Sequence, residues 1–288
     1  MGRERKVEVG AINIKTHPHS PMQYAELFED VYEKEYLGKI RGSYYGIIGN
    51  MRCIEEGKPK AGLEGFFYRF MNLDPNAPWL NLESRKVLDK DAEGRPIIPD
   101  HIKPDLKRIP FVFFPKTHRL VFDRKTISPG SLQRLLESIF AHEAIIQEHG
   151  SVDVLVESSH ESIERILKVH RKTKLTIKIS KPNPDEGSDD EIRVLEKLGA
   201  QNADRLEHIL ATKEKDGLKP DDDTQILMRT ARSNGVVFVE GKDEDGEKVE
   251  ESTKEHPYTK TDSYNPDHLT LLEAVRRIAY DVVKEVLE

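Results

Sequence analysis

The 288-residue chain predicts an α+β fold, mainly antiparallel sheet with flanking helices, in two subdomains. Strand-like runs come in pairs joined by short turns, helices open at repeated Ser-Pro steps, and strand-helix-strand repeats are too few for a doubly wound parallel sheet. The opening strand, Val7 to Lys15, carries Val7, Val9, Ala11, Ile12 and Ile14, then breaks at Thr16-His17-Pro18-His19-Ser20-Pro21. Ser20 suits an N-cap and Pro21 a first helical position; Tyr24, Leu27, Phe28, Val31 and Tyr32 then recur at helical spacing as far as Tyr36. Lys39 to Cys53 and Leu63 to Met71, rich in Tyr, Ile and Phe, read as strands, and Asn72 to Pro104 as a surface loop with five prolines.

A second hairpin spans Ile109 to Phe114 and Arg119 to Phe122. Ser128-Pro129 repeats the helix start, and Leu132, Leu135, Leu136, Ile139, Phe140 and Ile146 mark a long amphipathic helix ending before Gly150. Strand Val152 to Val156, helix His160 to Lys172 and strand Lys174 to Ser180 follow. After the acidic loop Asp185 to Glu191 comes a helical region reaching about Lys215. Thr224 to Thr230, Val236 to Gly241 and Lys248 to Thr253 read as a meander turned at Ser-Asn-Gly and Asp245-Gly246. The last helix follows Asn265-Pro266, with an apolar stripe of Leu271, Val275, Ile278, Val282 and Val286 suited to a sheet or to a second copy. The boundary falls near Asp123 to Ser128, dividing a strand-rich domain, 1–126, from a mixed domain, 127–288.

Composition narrows the function. Cys53, the single cysteine, excludes an intramolecular disulfide framework and a multi-cysteine zinc site, so a cytoplasmic location is expected. No run approaches the roughly 18 apolar residues of a membrane span, so no direct membrane insertion is expected. A net charge of −7 excludes a protein that coats nucleic acid with its whole surface, but allows one that uses a patch. Such a patch is legible in RILKVHRKTKLTIKISK, where Arg165, Lys168, Arg171, Lys172, Lys174, Lys178 and Lys181 stand without one Asp or Glu. Lys174, Thr176, Lys178 and Ser180 share one strand face, and Arg165, Lys168 and Lys172 one helix face, so a positive stripe results. A polyanion is its natural counter-charge, duplex DNA foremost; a solvated face balanced by the acidic loop is the competing account. A second basic cluster runs from Lys103 through Lys107, Arg108, Lys116, Arg119 and Arg124 to Lys125.

Other chemistry has weaker signals. His17 and His19 form a pair that orients the strand-to-helix turn, or, with Asp74 or Glu83, a metal site. No Gly-rich phosphate loop or nucleophile elbow occurs, and Cys53 reads as a strand residue, so no cofactor is expected. Phe66, Phe67, Tyr68 and Phe70 alternate as core residues, whereas Trp79 in its proline-bounded loop suits a binding surface. The strand ending Glu240-Gly241-Lys242, with Asp223 before it, resembles the Asp…Glu-x-Lys arrangement of restriction-endonuclease-like nucleases. That resemblance implies magnesium or manganese held by Asp223 and Glu240, with Lys242 positioning the attacking water.

GAINIKTHPHSP, GLEGFFYRFMNLDPNAPWLN and IPDHIKPDLKRIPFVFFPKTHRLVF together resemble an uncharacterised bacterial domain-of-unknown-function family. VVFVEGKDEDGEKVEEST followed by LLEAVRRIAYDVVKEV is similar in pattern to one end of RexA-like phage-exclusion and KwaB-like antiphage-defence proteins. That likeness implies antiviral defence by DNA binding without strong sequence preference, together with a membrane-protein partner. The reading is a homodimeric DNA-binding protein; a metal-dependent nuclease and a protein-protein scaffold are its alternatives.

Overall fold

The computed structural model describes residues 4–17, 20–74, 77–88, 99–183 and 189–287. In chain order it begins with β1 (Arg5–Thr16), α1 (Pro21–Glu33), β2 (Gly38–Arg41), β3 (Tyr44–Cys53), β4 (Leu63–Met71), β5 (Trp79–Asn81), β6 (Lys86–Leu88), β7 (Lys107–Phe114) and β8 (Arg119–Asp123). Next come α2 (Pro129–Phe140), α3 (Glu143–His149), β9 (Val152–Val156), α4 (His160–Lys168), β10 (Arg171–Ser180), α5 (Asp189–Gly199) and β11 (Arg205–Ala211). It closes with α6 (Asp222–Asn234), β12 (Gly235–Lys242), β13 (Lys248–Ser252), β14 (Lys260–Tyr264) and α7 (Leu271–Leu287). The fold is α+β, and among the described residues every strand pairing is antiparallel.

The larger sheet runs β14-β1-β8-β7-β4-β3-β2, with β9 also on β1. β1 is long enough to serve two partners along one edge, Arg5–Val9 taking β14 and Ile12–Thr16 taking β9. Alternation sends Ile12, Ile14, Leu120 and Phe122 to one face, where α1, α2 and α3 close a core around Phe28, stacked on Phe113 with ring centroids 4.2 Å apart. α2 comes close to β2 because Gly38 has no side chain: a Cβ there would lie 2.5 Å from the Leu135 carbonyl oxygen. The two Ser-Pro starts cap as expected, the Oγ of Ser20 accepting from the amide of Gln23 and that of Ser128 from Ser131. On the other face, α7 buries Ala274, Val275, Ile278, Ala279 and Val282 against Val7, Val9, Ala11, Val112 and Val121. Leu271, Val275, Ile278 and Val282 of the α7 stripe are therefore spent on the chain's own sheet, and the Val286 side chain lies outside what the structure describes.

The smaller sheet runs β11-β10-β12-β13. α4, α5 and α6 cover one face of it, around Leu175, Ile177, Val237, Val239 and Met228. The elements from α4 to β13 leave the large sheet after β9 and return before β14. A lone bridge pairs Ser158 with Pro257 where the chain goes out and comes back. Residue 126 thus does not separate the two sheets, since α2, α3, β9, β14 and α7 all belong with the larger one.

Several elements differ from expectation. The helix expected up to Gly150 breaks at His142, whose ψ of 134° is extended, and α3 restarts from it. Helix α4 stops at Lys168, so Arg171 and Lys172 are strand residues. Arg205 to Ala211, expected as helix, is strand β11, with Leu206 and Leu210 packed inward. Thr224 to Thr230, expected as strand, lies inside α6, capped by Asp221 through the amide of Thr224 at 2.8 Å. The loop after Asn72 contains a small hairpin, β5 with β6.

Candidate nucleic-acid interface

The basic segment separates into three environments. Arg165 and Lys168 lie exposed on α4, and Lys168 meets Glu164 at 3.5 Å. Arg171 donates to the carbonyls of Lys213 and Glu214, while Lys172 is buried, its Nζ donating to the Val169 carbonyl at 2.8 Å. Burial pulls the Lys172 ammonium below its ordinary range. The carbonyl of Lys181 accepts from Lys15. Lys174 and Lys178, with Thr176 between them, stand on the face of the small sheet that no helix of the small unit covers. The continuous stripe expected across helix and strand is therefore broken by the early end of α4.

Register builds that open face. Across the four strands it presents Arg205, Glu207 and Ile209 from β11; Lys178, Thr176 and Lys174 from β10; Phe238, Glu240 and Lys242 from β12; and Glu250 and Lys248 from β13. Charges alternate across strands: Lys178 pairs with Glu207 at 3.0 Å and Lys174 with Glu240 at 2.9 Å. The hydrogen bond from Lys174 holds the Glu240 carboxyl below the usual carboxylate range. Arg205, Lys174, Lys178, Lys242 and Lys248 outnumber Glu207, Glu240 and Glu250, so the face keeps a positive excess. Lys254 adds to it, its Nζ 5.9 Å from the centroid of the Phe238 ring.

One end of this face turns into a cleft of about 820 Å³ between the two units. Lys178, Arg205, Lys254 and Val236 continue from the open face into its wall, and the opposite wall is the first turns of α2 and strand β9. Carboxylates share it: Glu137, Asp153, Glu207 and Glu255. Gln133 reaches across its side, donating to the Val154 carbonyl and to Glu137.

Beneath the cleft lies a polar joint that sequence reading missed. Past the cover of α7, β1 turns Asn13 and Lys15 to the same face as Val7, and the small unit buries both completely. Lys15 Nζ donates to Ser180 Oγ at 2.8 Å, to the Lys181 carbonyl at 2.9 Å and to Asn234 Oδ1 at 3.1 Å. Asn13 donates to the Ser233 carbonyl, and its Oδ1 lies 2.7 Å from His118 Nδ1. Arg119 and Glu157, both buried, form an ion pair at 2.6 Å, too oblique for a hydrogen bond. Asn234 also donates to Glu191, whose carboxyl is pushed up by burial. The signal in the sequence was the pair of polar residues at inward positions of an apolar strand, Asn13 and Lys15 after Ala11.

Burial lowers the Lys15 ammonium to about 8. A folded value below the unfolded one means the unfolded chain binds the extra proton between about pH 8 and the ordinary lysine value of 10.5, so this group makes stability rise with pH across that window. Lys15→Met should remove the rise; chemical unfolding of both chains at pH 7.5 and pH 10 measures it, and parallel pH profiles would refute it.

The nuclease constellation does not assemble. Asp223 is in the first turn of α6, which packs on the Val237 and Val239 face of β12, whereas alternation puts Glu240 and Lys242 on the opposite face. The sheet lies between the two carboxylates. Of the histidine pair, His19 lies outside the described residues. His17 lines a hollow of about 470 Å³ with Glu26, Glu29, Asp30, Glu148 and His149, not with Asp74 or Glu83. Ligand atoms of Asp30, Glu148 and His149 lie within 4.8 Å of one another there, but Lys34 Nζ already contacts Asp30 at 3.4 Å and Glu148 at 2.9 Å. Among the described residues, no helix is long and apolar enough to cross a membrane.

The segments that carry the RexA-like pattern fall in different units, β12 and β13 in the small sheet and α7 on the large one. A family model described as a domain of unknown function, DUF4747, matches residues 5–280. No curated protein matches the chain.

Proposed function

The chain belongs to the DUF4747 family, and from that premise we propose that it binds nucleic acid, duplex DNA included, through the open face of the small sheet. The observation that carries this reading is the face itself: a solvated antiparallel surface with five basic side chains against three acidic ones and an aromatic ring, Phe238, near its middle. Four cations of the second basic cluster are likewise held by neighbours. Arg119 is buried on Glu157, Arg124 meets Glu8 at 3.1 Å, Lys103 meets Asp100 at 2.7 Å, and Arg108 lies over the Tyr68 ring. Carboxylates interleaved with the lysines keep the face from acting as a deep phosphate trap, so moderate affinity with little sequence preference is expected.

Replacing Lys174 and Lys178 by Glu should reduce affinity for a 20-base-pair duplex about tenfold or more at low salt, equally for unrelated sequences, and flatten the salt dependence by about two phosphate contacts. Fluorescence anisotropy over a salt series reads both quantities. Equal affinity for parent and double variant at every salt concentration would remove this face as the interface.

A further inference from the structure

We infer that the cleft beside the open face receives a single nucleotide turned out of the bound nucleic acid, its base inside and its phosphates on the cations at the mouth. This rests on the nucleic-acid reading above and adds what the cleft is for. The two surfaces are continuous: Lys178, Arg205 and Lys254 belong to both, so a backbone lying on the open face passes the mouth of the cleft. A volume of about 820 Å³ is in the usual range for pockets that take small organic ligands.

The charge pattern inside selects a base over a phosphate. An anion entering the cleft would meet Glu137 and Asp153 as well as cations, with no net attraction to hold it. A neutral base has donors and acceptors on its edge and a flat apolar face, and the cleft supplies the matching groups. With both Gln133 amide hydrogens already donated to Glu137 and Val154, the Gln133 Oε1 and the Glu137 carboxyl offer acceptors for the exocyclic amino group of a base, while Val156 and Val236 offer apolar contact. Burial pushes the Glu137 carboxyl up from its ordinary range. Paired bases are stacked in the helix and must be extruded at a cost, so an unpaired base is the favoured occupant.

The test uses the full chain and three 20-base-pair duplexes: fully paired, with one bulged base, and with an abasic bulge at the same position. The parent should bind the base-bearing bulge about tenfold more tightly than either other duplex, because only that probe offers a base already out of the stack. Gly130 lines the cleft, and a Cβ on it would meet only the Arg134 guanidinium, at 3.9 Å, so Gly130→Trp can fill the space without backbone strain. That variant should keep the parent's affinity for the paired duplex and lose the preference for the bulge; Gln133→Leu should lose it in part. Thermal unfolding verifies that both variants are folded. Equal affinity of the parent for bulged and abasic probes, or a preference that survives Gly130→Trp, overturns the inference and leaves the nucleic-acid reading standing. Absence of binding to all three duplexes overturns both.

Discussion

Replacing Arg119 by Met is expected to lower the free energy of unfolding by about 3–5 kcal/mol, because it leaves the Glu157 carboxylate buried without its ion-pair partner. Removing both charges together, as in Arg119→Met with Glu157→Leu, should recover most of that loss, since neither charge is then left buried without its partner and the side-chain volumes are similar. Urea unfolding of the three chains decides the matter through their midpoints. A single variant as stable as the parent would mean that the joint between the two units contributes nothing at this pair. A double variant less stable than the single one would mean that Glu157 has other stabilising partners in the joint.

Ile278→Asp should abolish cooperative unfolding or cost more than about 4 kcal/mol, because Ile278 is 1% exposed and the new carboxylate would be buried in a cluster of predominantly apolar side chains. Tyr280→Asp, two residues on and 47% exposed, should stay within about 1 kcal/mol of the parent. Circular dichroism melts separate the two outcomes. An Ile278→Asp chain that melts like its parent would remove α7 from the core. A homodimer, which the apolar stripe of α7 led one to expect, has to use a different surface; light scattering of the parent near twice the 33.0 kDa chain mass would establish it.

Where burial alternates or recurs strictly, the sequence was informative. The Ser-Pro helix starts, the pairs β3 with β4 and β7 with β8, and the apolar stripe of α7 were all legible, since each element has one wet and one dry face. Arg205-Leu-Glu-His-Ile-Leu-Ala misled because Leu, Glu and Ala favour helices, while its pairing with β10 is a tertiary effect. Thr224 to Thr230 misled in the opposite sense: its Thr and Ile suggested a strand, although Asp221 was there to cap a helix. Of the candidate interface, Lys174 and Lys178 were legible from alternation. Their partners Glu240 and Glu207 were not, because the register that brings them together joins residues 66 and 29 positions apart. The polar joint escaped notice for a related reason: its members, from Asn13 to Asn234, meet only when the small unit docks.

The long first strand has a consequence for how the molecule is made. Arg5 to Val9 on β1 pair with Lys260 to Tyr264 on β14, and α7 then covers Val7 and Val9. During synthesis these residues emerge well before their partners on β14, which follow only after the whole excursion from α4 to β13 has been translated. Until then the half-built large sheet presents a bare strand edge and an uncovered apolar face, a combination that invites pairing with other chains. Contacts of such long sequence separation also form slowly. Closure by β14 and α7 is therefore expected to be the late step of folding, and the interval before it the one in which a chaperone would have most to protect. Clasping of the outgoing and returning chain, through the Tyr258 amide on the Glu157 carbonyl and the Ser159 amide on the His256 carbonyl, brings β14 to the edge where it is needed and shortens that interval.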